Sequence, residues 1–169
     1  MKKGRIVVIV IAAVLMLLYG AAYGYFAQHG MKAVPGHEQG LPSLPQHVLI
    51  ATQGSGFKDG LVVALLARLQ QRPSHVKVID VAGLAAMNGA DWQAIVIVHS
   101  WEFGRPPRAV EEFVARLADS GKIIDVTTSG SGREKLAGVD VISSASVMDE
   151  IPDLAARLES RIDARLPRR

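Results

Sequence analysis

Five apolar runs recur between residues 47 and 145: HVLIAT, VKVIDV, AIVIVHS, KIIDVTT and VDVISSA. Strands with one face in water alternate apolar and polar residues, whereas near-continuous apolar runs mark strands covered on both faces. Such strands belong to parallel sheets, whose crossovers are helices. The intervening chain has the required spacing. Leu61, Val62, Leu65, Leu66 and Leu69 share one helical face, as do Val110, Phe113, Val114 and Leu117. Asp59 is the expected cap of the first helix and Pro73 its stop. Pro106 and Pro107 open the second helix, and Ser120 and Gly121 close it. A last helix is expected over residues 148–166, with Ile151, Leu154, Leu158 and Ile162 inward. Residues 47–166 therefore read as one α/β domain. Two crossovers, residues 82–93 and 130–138, allow at most a turn or two of helix, close to the shortest a parallel crossover tolerates. They are expected to leave one sheet face poorly covered, which favours a homodimer or a membrane-protein partner.

Residues 6–26, IVVIVIAAVLMLLYGAAYGYF, carry no charge. A helix of that length reaches about 30 Å, the thickness of a bilayer core. Residues 1–5 hold Lys2, Lys3 and Arg5, so a transmembrane signal-anchor is expected, with its N-terminus cytoplasmic and the domain extracytoplasmic. A cleaved signal peptide is the alternative, with Ala22 and Gly24 as the small residues of a cleavage site. Tyr19, Tyr23, Tyr25 and Phe26 resemble an interfacial aromatic belt. Residues 27–46 are rich in Pro and Gly, show no periodicity and read as a flexible linker; His29 and His37 lie in it. The absence of cysteine rules out a lipid-modified cysteine, a disulfide and a thiol nucleophile. The net charge of +3 gathers at the two ends, the C-terminal part at Arg165, Arg168 and Arg169. No basic stripe with interleaved aromatics points to nucleic acid.

Three stretches carry a family resemblance. LIATQGSGFKDGLVVALLARL is a strand, a small-residue loop and a helix. IVIVHSWEFGRPPRAVEEFVARL is a strand, a loop bearing aromatics and a helix opened by two prolines. SGKIIDVTTSGSG is a strand running into a glycine-rich loop. In order and spacing the three resemble the flavodoxin-like superfamily. The resemblance implies a five-stranded parallel sheet of order 2-1-3-4-5 with helices on both faces, preceded here by one N-terminal transmembrane helix. It also implies a ligand crevice at the carboxyl ends of the first and third strands, the topological switch point.

The same resemblance implies FMN as cofactor and nominates its contacts. Thr52, Gln53, Gly54, Ser55, Gly56, Phe57 and Lys58 form the expected phosphate loop. A phosphate needs inward N–H groups at a helix start and small side chains around them. The family's loop usually reads T/S-x-T-G-x-T; here Gly54 replaces the inner Thr, Ser55 replaces Gly, and Phe57 stands near the last hydroxyl. Ser100, Trp101, Phe103 and Gly104 follow the third strand, where related proteins place an aromatic against the flavin ring. Thr128, Ser129, Gly130, Ser131 and Gly132 have amides for the pyrimidine edge. Arg105 and Arg133 border the site as solvated charges, and His99 is expected as a core or rim histidine. No catalytic set appears beside the flavin. His99, Ser100 and Glu102 are sequence neighbours that a strand cannot align into a relay. Asp80, Asp91, Asp125 and Asp140 are scattered, and no hydrolase elbow is present. Two functions stay open: a membrane-anchored FMN protein for electron transfer or reduction of a small acceptor, and a degenerate, flavin-free domain acting as an interaction module at the membrane.

Overall fold

A computed structural model describes residues 2–29, 31–102 and 104–167. The chain divides into two units, residues 1–31 and 32–169. The first is one helix, α1 (Lys2–His29). Within it Gly4–Gly24 is long and apolar enough to cross a membrane, at a mean hydropathy of 2.7 with none of that window buried in protein.

The second unit is an α/β domain. Its elements are β1 (His37–Gln39), β2 (Gln46–Thr52), α2 (Gly56–Leu69), β3 (Ser74–Asp80), β4 (Ala94–Ser100), α3 (Arg108–Arg116), β5 (Ile123–Thr128), β6 (Asp140–Ser144) and α4 (Ile151–Asp163). The sheet order is β1-β3-β2-β4-β5-β6. Strands β3, β2, β4, β5 and β6 are all parallel, and they are the five strands expected from sequence, in the order 2-1-3-4-5. One strand is extra. β1 lies in the stretch read as a linker and pairs antiparallel with β3 at the sheet edge. Its sequence, HEQ, has no strand pattern. Cross-strand chemistry holds it: Glu38 stands opposite Lys77 and bonds its ammonium at 2.8 Å, a pairing that stabilises antiparallel neighbours. Lys77 and then His75 hold the Glu38 carboxyl below its ordinary value.

Alternate residues of each strand feed two cores. On one face Val48, Ile50, Val76, Val78, Val96, Val98, Ile124, Val126 and Ile142 meet α2 and α4. The two helices approach closely; a Cβ at Gly60 would lie 3.0 Å from the Ile151 side chain. On the other face Leu49, Ala51, Ile95, Ile97 and Ile123 meet Val110 and Phe113 of α3, with Leu84 and Trp92. The expected poorly covered face is corrected here. Two short 3-10 turns, Val81–Ala86 and Gly89–Asp91, supply Leu84 and lead into Trp92, and Leu136 and Val139 pack against the same cluster. Arg116 of α3 donates to the Met87 carbonyl at 3.0 Å and also to that of Leu84, fastening the crossover. Residues 129–139 form no helix. Four helix boundaries also differ from expectation. Ser55, not Asp59, caps α2; α3 ends at Arg116, so that Ser120 and Gly121 belong instead to a separate 3-10 turn; a 3-10 turn, Met148–Glu150, precedes α4, and α4 ends at Asp163.

Candidate functional site

Because the five strands run parallel, their carboxyl ends share one edge, and Thr52, Ser100, Thr128 and Ser144 terminate β2, β4, β5 and β6 there. The three loops picked out from sequence leave from this edge. Backbone pairing stitches them together. The Gln53 amide donates to the Val98 carbonyl at 3.1 Å, the Trp101 amide to Thr128 at 2.7 Å, and the Ser129 amide to Ser144 at 3.2 Å. The Gln53 side-chain oxygen accepts from the Ser100 amide at 2.7 Å. Adjacent loops thus form a continuous rim over β2, β4 and β5.

In the first loop Thr52 is buried and donates to the Gln53 carbonyl. Gly56 is the first residue of α2, and a Cβ there would meet open space. The first amides of a helix, here those of Gly56 and Phe57, have no partner within it and carry the positive end of its dipole. Phe57 is placed differently from its nomination as a contact: its side chain is 5% exposed and packs in the α2–α4 core, which leaves only its backbone for a ligand. Lys58 differs more. Its residue is 2% exposed, and its ammonium donates to Ser100 Oγ at 2.8 Å and Ser55 Oγ at 3.4 Å. Burial pushes this amine down to about 8, against the opposing pull of Glu102 and then Asp59. The Ser100 hydroxyl also lies 3.3 Å from that of Thr128, which donates to the His99 carbonyl. A lysine from α2, a serine from β4 and a threonine from β5 therefore meet beneath the rim.

Gly54 is engaged elsewhere. Its amide donates to the Lys32 carbonyl at 2.9 Å, and the Lys32 amide donates back at 3.0 Å. A Cβ on Gly54 would lie 2.5 Å from that carbonyl oxygen, so the close approach here is made by the chain's own backbone. In the second loop Trp101 is half-buried. Glu102 and Arg105 close the turn with reciprocal backbone bonds at 2.9 and 3.1 Å. Gly104 sits at a positive φ of 78°, a conformation glycine adopts without strain. Phe103 lies outside the described residues. A cleft of about 620 Å³ opens beside this turn, lined by Gln53, Glu102, Arg105, Arg108, Glu111 and Glu112 together with the two prolines. The third loop closes on Glu134, whose carboxylate accepts from Ser129 Oγ, from Ser131 Oγ at 2.6 Å and from the Arg133 amide. Those hydroxyls hold the Glu134 carboxyl down at about 2. Gly130 faces open space, whereas Gly132, at φ 64°, abuts Ala145.

One polar cluster was not legible in the sequence. Register pairs His99 with Thr127, and Asp125 lies two residues back on the same face. His99 Nε2 is 3.0 Å from the Asp125 carboxylate with both side chains fully buried. Thr127 donates to Asp125 at 2.5 Å, and His99 Nδ1 lies 3.1 Å from the Ser100 carbonyl. This network sits under the edge, on the face opposite Lys58. Among the described residues no three His, Asp or Glu side chains converge as a metal site.

These residues fit an FMN in part. The amides of Gly56 and Phe57, the Ser55 hydroxyl and the Lys58 charge suit a phosphate. Trp101 offers an apolar face, and the open space at Gly130 leaves room beside the third loop. The Gly54 amide and the Ser129 and Ser131 hydroxyls are occupied by the chain itself.

No protein-family model matches the chain, and no curated protein matches it. Among solved structures it is similar to oxidised flavodoxin 2 of Bacillus cereus, with a TM-score of 0.51 and 14% identity over 70% of this chain and 98% of that one. Two flavo di-iron protein mutants of Thermotoga maritima also align, at TM-scores of 0.45 and 0.44 with 11% and 10% identity. Each alignment covers 70% of this chain and 36% of the Thermotoga chain. The strand order, the helices on both faces and the match along nearly the whole Bacillus protein agree: the domain that follows α1 has the flavodoxin-like fold.

Proposed function

We propose that the chain is a membrane-tethered flavodoxin-like protein that binds FMN at the carboxyl edge of the sheet. It would exchange electrons with a small acceptor or a membrane redox partner. The observation that carries this reading is the convergence of three loops at the switch point between β2 and β4, with the first turn of α2 open at Gly56 and Lys58 charged beneath it. Ser55, the Gly56 and Phe57 amides, Lys58 and, once the Lys32 carbonyl leaves it, the Gly54 amide would hold the phosphate. Trp101 would cover the ring, and the backbone of residues 128–132 would meet its pyrimidine edge. The flavin supplies the one- and two-electron chemistry, and the protein supplies position and electrostatics. Lys58 draws a dianionic phosphate most strongly below pH 8, where it carries its proton. In this reading α1 is a signal-anchor whose basic N-terminus stays cytoplasmic, with the domain extracytoplasmic.

A second reading, a flavin-free interaction module, is favoured by one feature: ligand-facing donors at Gly54, Ser129 and Ser131 already bond the chain's own groups. An absorbance titration of the full chain in detergent micelles with FMN separates the two. A red-shifted, quenched flavin spectrum at micromolar concentration supports the flavoprotein. A folded chain whose FMN spectrum does not change at hundreds of micromolar supports the interaction module.

A further inference from the structure

We infer that residues 32–34 form a displaceable cover over the candidate phosphate cradle, so that the chain competes with its own ligand for the Gly54 amide. This inference rests on the FMN reading and adds a regulatory contact to it. Lys32 and Gly54 form an isolated antiparallel bridge outside any sheet strand, with both reciprocal backbone bonds made. The next anchor is the Val34 amide, which donates to Asp80 Oδ2 at 2.9 Å. Asp80 uses its other oxygen to cap the 3-10 turn that follows, accepting from Ala82 at 2.8 Å. The cover thus docks on two loops that both leave the carboxyl edge.

Its attachment is slight. Lys32 and Ala33 are exposed, and only Val34 is partly buried against the core. Segments with few buried contacts and exposed backbone bonds open at low free energy. The site it covers is specific, however. Gly54 takes the place of the inner residue of the phosphate loop, and the Lys32 carbonyl lies where any side chain at Gly54 would point. A phosphate drawing on that same N–H cannot coexist with the Lys32 carbonyl, since one amide proton serves one strong acceptor. Binding therefore requires residues 32–34 to lift.

The test uses the full chain in detergent micelles and reads the cover and the ligand separately. Without FMN, trypsin is expected to cut after Lys32 slowly and the Gly54 amide to exchange slowly. Saturating FMN is expected to speed cleavage after Lys32 at least tenfold while the Gly54 amide stays protected by its new acceptor. Lys32→Pro removes the donor N–H and is expected to tighten FMN binding about fivefold, the equivalent of one net backbone hydrogen bond. Lys32→Ala keeps that N–H and is expected to leave affinity within about twofold. Cleavage after Lys32 at the rate of an unstructured peptide in the absence of FMN overturns the cover and leaves the flavin reading standing. So does FMN binding that changes neither cleavage nor the K32P affinity. Absence of FMN binding in both wild type and K32P overturns the flavin reading, and the competition with it.

Discussion

Replacing Lys58 by Met is the most informative perturbation of the site. An ammonium leaves water at a cost, and the Lys58 amine falls from 10.5 to about 8 chiefly because of burial. At about 1.4 kcal/mol per tenfold in proton affinity, that fall is worth about 3 kcal/mol. The unfolded chain holds the proton up to pH 10.5, whereas the folded chain releases it near pH 8. The folded state therefore carries the full cost below pH 8 and escapes it as the pH climbs to 10.5, so this group makes stability rise with pH across that window. Lys58→Met abolishes the term. Urea unfolding of both chains in micelles, followed through Trp92 and Trp101 fluorescence, is the assay. The stability of wild type relative to the variant is expected to climb by about 3 kcal/mol from pH 7 to pH 10.5, most of it above pH 8. Two curves that stay parallel across the window would refute the reasoning, because a solvated ammonium titrates alike in both states.

Three further outcomes follow from the same geometry. FMN affinity is expected to fall as pH rises through 8, when Lys58 loses its charge, and this dependence should vanish in Lys58→Met; calorimetric titration at pH 7 and pH 9 checks it. Trp101→Ala is expected to weaken FMN binding about tenfold through lost stacking, while leaving the urea midpoint nearly unchanged because the side chain is only half-buried. Asp125→Ala leaves His99 facing a void in a fully buried pair and is expected to cost about 3–5 kcal/mol in urea unfolding.

Much of the fold was legible because it depends on apolar patterning. AIVIVHS reads as a central strand and is one: residues 94–99 of β4 are buried between β2 and β5. The order of the parallel strands followed from loop positions and the superfamily resemblance. β1 escaped because His37, Glu38 and Gln39 carry no strand preference; an ion pair to Lys77 across the edge holds them. The site was legible in outline and not in detail. The three loops were found, since glycine and serine clusters after strands mark turns. Their internal bonding was not. Lys58 and Ser100 lie 42 residues apart, and a lysine in a first helical turn normally reads as solvated. The link between Lys32 and Gly54 is backbone to backbone and leaves no trace in side-chain identity. The His99–Asp125–Thr127 cluster depends on two residues of one strand and the register of the next, and periodicity within single strands carries no register between them.

The carboxyl edge, from Ser55 to Trp101, is the flavin site proposed above. Amide-resolved NMR of the full chain in micelles with added FMN tests it most directly. Saturable shifts are expected at Ser55, Gly56, Phe57, the Trp101 indole and residues 128–132, joined by Gly54 and residues 32–34 where the ligand displaces the Lys32 carbonyl. Shifts scattered over the detergent-facing residues of α1, or none at these positions while the domain remains folded, would contradict it.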